Sequence, residues 1–213
     1  MIPRFLTTET DADEESEANR FNLWIDGVGA FLICLNQRVV LGGPRGSAES
    51  ADVALLANLS RRHATLVRGH GGYHIEAHAD VRLAGQTVSD QSGLRTGSEI
   101  QLGDSVRLRF GLPSPLSASA SLEFLTDHRP ASRIDGVVLM EETCLLGPGS
   151  GHHIDCADWE HSVVLYHRNN RFGCRSQSEL FIDGRSIHDG DPIPPGAVVS
   201  GSDFRLRIEP ATD

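Results

Sequence analysis

Residues 58–66 read NLSRRHATL and crowd Ser60, Arg61, Arg62 and His63 at the mouth of a segment whose other residues favour burial. Each of these four side chains can donate a hydrogen bond, and the two guanidinium groups stay charged at any working pH. Packing alone does not account for such a cluster, so a polar group is expected to meet it. A second constellation lies in HGGYHIEAH, where His70, His74 and His78 recur at the helical spacing of metal ligands. Gly71-Gly72 and the alternation of the stretch argue against a helix. On a strand, His74, Glu76 and His78 share one face, opposite Tyr73 and Ile75. Two imidazoles and a carboxylate can bind a divalent metal; the alternative, a polar face turned to solvent, is preferred, and no metal site is assigned. The pair His152-His153 is equally unspecific. Gly149-Ser150-Gly151 lacks the pattern and the strand-to-helix setting of a nucleophile elbow. No spacing of Ser, His and Asp restricts the chemistry, so no catalytic residue and no enzyme activity is expected.

Composition closes further classes. All 19 basic side chains are arginine, so the chain can build neither a lysine-bearing phosphate loop nor a Schiff base, and GGPRGS at 42–47 is no nucleotide loop. No cofactor is expected. A formal net charge of −10 disfavours nonspecific binding to nucleic acid or to an anionic membrane. No apolar run approaches the roughly 18 residues needed to cross a bilayer. The start, MIPRFLTTET, has no charged-then-apolar signal pattern and runs into the acidic DADEESEA, which points to the cytoplasm. Cys34, Cys144, Cys156 and Cys174 form no C-x-x-C pair and are expected to be reduced and mostly buried.

The elements that must position the cluster are strands. Residues 1–19 carry six acidic side chains and little apolar surface, the composition of a disordered tail. From Phe21 onward come short alternating or apolar runs, among them FNLWI, AFLICL, RVVLG, HATLV, YHIEA and SVRLRF, each bounded by turn residues. Such runs, with no sustained 3.6-residue period, predict an all-β sandwich or barrel. A second series, from GVVLM through SVVLYHR to FRLRI, overlays the first at a shift of about 100 residues. VLGGP meets LLGPG, VRLAGQTV meets LFIDGRSI, and LRTGSEI meets IPPGAVV. The ordered blocks predict an internal repeat of two sandwich domains, 20–127 and 134–213, joined near TDHRPASR at 126–133. The end of GLPSPLSASASLEF is expected to be a last strand of the first domain, with a flexible linker as the alternative.

The order LGG, ADVALL, SRRHATL, YHIEA, AGQTV and SEIQLGDSVRLRF resembles the forkhead-associated, or FHA, domain family. The resemblance covers residues 20–124; over 135–209 it holds only through the repeat and the apolar skeleton. It implies an eleven-stranded β-sandwich whose loops at one end read phosphothreonine on a partner protein. Phosphothreonine carries about −1.5 to −2 charge and three acceptor oxygens, so its reader needs converging hydroxyl, N–H and guanidinium donors. By the resemblance Ser60 supplies the phosphate-binding hydroxyl, while His63, with Gly42 and Gly85, supports the loops. Arg61 and Arg62 are candidate sources of charge, or else solvated surface arginines. Two departures weaken the pattern. The family's Gly-Arg is Gly42-Gly43 here, and its Asn-Gly is Ala84-Gly85, so a phosphate-holding guanidinium and a peptide-gripping side chain are missing. If each contact is worth on the order of 1.5 kcal/mol, affinity drops by roughly two decades. Arg45, two residues past the missing arginine, is a partial replacement or a surface arginine beside a turn. In the second repeat Gly147-Pro148 replaces Gly-Arg, and Glu160 within WEHSVV would repel phosphate, so that copy is degenerate; Asp183-Gly184 is a tight turn kept as structure.

The expectation is therefore a non-enzymatic, cytoplasmic interaction module, a signalling adaptor of tandem FHA-like domains with weak phosphothreonine-peptide recognition by the first. The alternative is a phospho-independent scaffold or oligomerisation protein. Its partner is expected to be a protein or phosphopeptide, such as a Ser/Thr kinase substrate or its own tail, in which Thr8 and Thr10 each precede an acid by three residues. About ten flexible residues span on the order of 17 Å, close enough for binding in cis to offset a weak pocket.

Overall fold

The computed structural model describes residues 19–44, 51–114 and 117–211. Thr8, Thr10, the rest of the tail before Asn19, and Arg45 lie outside the described residues. All regular structure among the described residues is β-strand, in sandwich layers.

In chain order the first series is β1 (Arg20–Ile25), β2 (Gly29–Cys34), β3 (Arg38–Gly42), β4 (Val53–Ala54), β5 (Ala64–Gly69) and β6 (Gly72–Ala77). It continues with β7 (Val81–Leu83), β8 (Gln86–Thr87), β9 (Gln91–Leu94), β10 (Glu99–Leu102) and β11 (Val106–Gly111). The second series opens with β12 (Ala120–Phe124), β13 (Gly136–Leu139), β14 (Thr143–Gly147), β15 (Ile154–Asp155) and β16 (Val163–Arg168). It closes with β17 (Arg171–Ser176), β18 (Leu180–Ile182), β19 (Arg185–Ile187), β20 (Val198–Ser200) and β21 (Arg205–Pro210). The segment expected to be either a strand or a linker thus contains β12, paired with β11 through Phe110↔Leu122.

One twelve-stranded sheet runs through the whole molecule in the order β19-β18-β20-β21-β1-β2-β13-β12-β11-β10-β7-β8. Its centre is the parallel pair β2–β13, with Leu32 opposite Val137 and Cys34 opposite Leu139; its other pairings are antiparallel. A five-stranded sheet, β4-β3-β5-β6-β9, and a four-stranded sheet, β15-β14-β16-β17, complete the layers.

The described residues form two hydrophobic cores, and the central strands feed both. Leu32 and Cys34 of β2, with Val137 and Leu139 of β13, join Leu41, Leu66, Ile75 and Phe110 in the first. Ile33 and Val138, one residue out of step, join Leu146, Leu165, Cys174 and Leu206 in the second. Neighbours along a strand point to opposite faces, so the two cores lie on opposite faces of the shared sheet, each capped by one small sheet. That is why AFLICL and GVVLM are continuous apolar runs: both faces are covered.

The cores do not follow the boundaries 20–127 and 134–213. Strand β1 pairs with β21, Leu23 against Ile208, and puts Leu23 and Ile25 into the second core. Conversely, Val137 and Leu139 of β13, which lie within 134–213, pack in the first, beside Ala120, Leu122 and Phe124 of β12. Relative to the sequence repeat the opening hairpins are exchanged: β1–β2 completes the second core, and β12–β13 the first. The stretch 126–133 does not separate the two; Pro130 bridges to Leu55, and the next residue, Ile134, is fully buried in the first core.

All four cysteines are free and buried. Burial holds every one of their thiols protonated, pushing Cys156 and Cys174 up to about 12 and Cys34 and Cys144 further. No helix among the described residues is long and apolar enough to cross a membrane.

Candidate binding loops

The loops of the first core gather at one end around His63. Its Nδ1 accepts from the Ser60 N–H at 3.3 Å and its Nε2 donates to the Asp80 carbonyl at 2.8 Å, which fixes a neutral tautomer with the proton on Nε2. The His63 carbonyl in turn accepts from the amides of His78 and Ala79 at 3.0 and 3.1 Å. Gly103, between β10 and β11, donates its N–H to Asp80 at 2.9 Å. The ring, itself buried, thus ties the 55–63 and 78–80 connections together, and 103–105 joins them through Asp80; the chain entering and leaving β3 and β4 lies against 55–63.

Gly42 and Gly43 allow the chain leaving β3 to touch the 55–63 connection. A Cβ on Gly42 would lie 1.8 Å from the Arg61 carbonyl oxygen, and one on Gly43 would lie 2.4 Å from that of Leu59. The Gly43 N–H donates to the Ser60 carbonyl at 3.0 Å, and the Leu55 N–H to the Gly42 carbonyl at 2.8 Å. Backbone therefore fills the space a side chain would need, and the arginine absent from position 43 has no room there. Pressed against this glycine pair, residues 60–62 project outward, and Ser60, Arg61 and Arg62 are all exposed. The carboxylate of Asp80 lies 3.7 Å from the Arg82 guanidinium.

Gly85 is not part of this end. Ala84 and Gly85 have φ of 47° and 81° and form the two-residue turn between β7 and β8. The Ala84 N–H donates to Glu99 at one end of the β7–β10 pair, whereas Asp80 meets Gly103 at the other. The length of β7, about 10 Å, separates the turn from His63. The positions that adjoin the bracing histidine are Ala79, Asp80 and Gly103. The ADV preceding the LAG turn was the sequence signal for them, since residues flanking the start of β7, not its end, face the loops.

His74, Glu76 and His78 do not converge. Glu76 is held by Arg38 through both carboxylate oxygens, and that pairing keeps its carboxyl below the usual range. His74 stands 3.6 Å from Glu76, while His78 bonds Thr65 Oγ1 at 2.8 Å. No metal-holding cluster of three such groups occurs among the described residues.

At the equivalent end of the second core the registers Leu41↔Ala64 and Leu146↔Val163 align Ser60 with Trp159 and His63 with Ser162. Trp159 is buried against Phe204, their rings 5.1 Å apart. Glu160 donates its N–H to Asp203, a bond that lowers the carboxyl pKa of Asp203. This end presents carboxylates and an indole core where the other presents a hydroxyl and guanidinium groups. Neither family models nor curated proteins match the chain.

Proposed function

We propose that the chain is a non-enzymatic, FHA-like protein-interaction module whose first loop end binds phosphothreonine-bearing segments of partner proteins with low affinity. The observation that carries this reading is the close approach of Gly42-Gly43 to Leu59–Arg61, braced by the buried His63, which leaves Ser60, Arg61 and Arg62 exposed together. A hydroxyl, backbone amides and two guanidinium groups on neighbouring residues match the donors a phosphate monoester dianion needs. The absence of room for a side chain at Gly43 supports weak rather than tight binding. The second end, with Trp159, Glu160 and Asp203, contributes no phosphate contact in this scheme.

Fluorescence anisotropy with phosphothreonine peptides and their unphosphorylated twins tests it. Wild type retains the phosphorylated set preferentially, and Ser60→Ala and Arg61→Ala/Arg62→Ala each weaken that preference, by about tenfold per lost charge-assisted contact. Equal retention of both sets by wild type sinks the reading and favours the alternative, a scaffold that binds without phosphate. One observation favours that alternative: Leu56, 54 % exposed, is the large hydrophobic side chain open to solvent among the described residues, and it rims a cavity.

A further inference from the structure

The chain passes from one core to the other at one place. β2 ends at Cys34 and β13 at Leu139, opposite each other in the parallel pair. Residues 35–37 then lead to β3, in the sheet over the first core, and residues 140–142 lead to β14, in the sheet over the second. Apart from the inward face of β2, the buried residues of the first core therefore come from the continuous stretch 38–139. The second core is split around that stretch. It takes the hairpin β1–β2 from one side and β14 through β21 from the other, together with Val138 and Met140. The hairpin is thus joined to β3 by a three-residue connection, yet β1 pairs with β21 near the other end of the chain, from Phe21↔Pro210 to Ile25↔Leu206.

None of these pairings depends on the hairpin coming from the same copy. A hairpin from a second copy, set between β21 and β13, keeps the registers with both strands and the burial of Leu23, Ile25 and Ile33. Two hydrogen bonds travel with it: the Leu35 N–H donates to the Asn19 carbonyl at 2.9 Å, and the Met140 N–H donates to the Cys34 carbonyl at 2.8 Å. Only 35–37 must change course. Exchange of a whole element between copies is a low-cost route to a dimer for this reason.

The two connections differ in how firmly they are held. At 140–142 the Glu141 N–H donates to Ser119 Oγ at 2.9 Å. Glu142 accepts from Arg168 at 3.0 Å through its side chain and from the His167 N–H at 2.9 Å through its carbonyl. At 35–37, Gln37 is bonded to Arg68 at 2.9 and 2.8 Å and so stays with β3 and β5. The side-chain hold on Leu35 is weaker, a 3.4 Å bond from Arg68 Nη2 to its carbonyl, and Arg68 Nη1 is buried with no hydrogen-bond acceptor among the described residues. Opening here gives up a long bond and frees a guanidinium that the closed form leaves poorly satisfied.

We infer that the chain dimerises with a second copy of itself by reciprocal exchange of the hairpin β1–β2, hinged at 35–37, each hairpin filling the place between β21 and β13 of the other copy. Extended, the hinge reaches about 14 Å from Cys34 to Arg38. The two copies therefore meet with their hinges side by side, at a surface where Gln37, Arg38, Glu141 and Glu142 are exposed. The inference stands independently of the phosphothreonine reading.

Full-length Asn22→Cys and Glu209→Cys chains test it. These positions face each other across β1 and β21, neither is buried, and the four native thiols are. The two variants are mixed in urea, refolded together, treated with a short bismaleimide and separated by size. A copy's own hairpin competes at an effective concentration on the order of 1 mM. Roughly a third of the chain is therefore expected as dimer after refolding at about 0.5 mM, and about a hundredth at about 5 μM. Cross-links in that dimer join an Asn22→Cys chain to a Glu209→Cys chain. Deleting Asn36 from the wild-type chain keeps the hairpin from reaching its own place and raises the dimer share at the lower concentration about tenfold. Inserting Gly-Ser-Gly-Ser after Asn36 lowers the share at the higher concentration, and the same insertion after Glu141 leaves it unchanged. Monomer alone, in wild type and in the Asn36 deletion, overturns the exchange. A dimer without the mixed cross-link is a surface contact and also overturns it. An insertion after Glu141 that acts in place of the one after Asn36 puts the hinge at 140–142 and overturns its assignment to 35–37.

Discussion

Where the first core buries Asp52, the second buries His153, and both do the same structural work. Asp52 Oδ2 accepts the Val40 N–H at 2.7 Å, and His153 Nδ1 accepts the Leu145 N–H at 2.9 Å, each from the strand beside it. Each is also tied to the segment that opens one of the exchanged hairpins: Arg20 donates to the Asp52 carbonyl, and His153 Nε2 donates to the Ser119 carbonyl at 3.1 Å. The chemistry then diverges. A carboxylate beside a guanidinium serves in the half whose exposed loop is cationic, and a neutral imidazole serves in the half whose loop is acidic. The histidine bracing has moved as well. In the first half it comes from His63 on the 55–63 connection; in the second, His152 on the 148–153 connection bonds Ser162 Oγ at 2.8 Å. One strand plan thus tolerates two loop chemistries because the joints are backbone amides and carbonyls, which accept any partner of the right polarity.

The largest effects come from breaking the exchange. Leu23→Ala and Leu32→Ala lie on adjacent strands and are both buried, yet they empty different cores. Each is expected to cost about 3 kcal/mol. In native-state hydrogen exchange Leu23→Ala should accelerate β14, β16 and β21, and Leu32→Ala should accelerate β3 and β5. The reverse assignment breaks the account of the cores.

Next in size is Gly42→Ala, whose methyl meets a carbonyl oxygen of the backbone at 1.8 Å. A loss of about 3 kcal/mol in urea unfolding is expected, with phosphopeptide binding lost as the loop is displaced. Gly85→Ala, where a Cβ meets nothing within 4 Å, costs only the strain of φ +81°, about 1 kcal/mol, and leaves binding intact.

Acid should act through the second half. Desolvation lowers the pKa of His153, and that of His167 as well. The unfolded chain therefore takes up these protons first, near pH 6.5. The stabilisation is complete above that pH and erodes as pH falls through it toward the depressed folded values. His153→Gln keeps a polar partner for Leu145 and should flatten the pH dependence of the unfolding midpoint; an unchanged slope assigns it to other groups.

The smallest change sharpens the turn comparison. Asp183, at φ 49°, uses its side chain to accept the Val198 N–H at 3.0 Å, whereas Ala84, at φ 47°, has no such group. Ala84→Asn is expected to stabilise by about 0.5–1 kcal/mol, because asparagine tolerates the left-handed region better than alanine. Thermal unfolding measures it, and a loss of stability counts against the turn assignment.

The strand series and its repeat were legible because period-two alternation and turn residues survive in both copies. The resemblance pointed to His63 and Gly42, but Gly43 read only as a missing arginine, because the carbonyls of Leu59 and Arg61 that fill the space beside the glycine pair are set by the path of the 55–63 connection. The exchange was not, for a physical reason. SVRLRF and FRLRI offer β1 nearly the same apolar alternation and arginine positions, so the pattern of β1 does not choose between β11 and β21. The one available hint was the unbroken apolar character of AFLICL and GVVLM, the mark of strands covered on both faces. Gly85 was misplaced because its turn chemistry shows in sequence, whereas the end of β7 that faces His63 depends on pairing with β10.

The most direct measurement is a chemical-shift titration of the full chain with an alanine-flanked phosphothreonine peptide and its unphosphorylated twin. Phosphate-dependent shifts at Gly42, Gly43 and Ser60 through His63, with none at Gly147 or Trp159 through Ser162, are the predicted result. Identical shifts from both peptides, or shifts centred on the Trp159 end, contradict it.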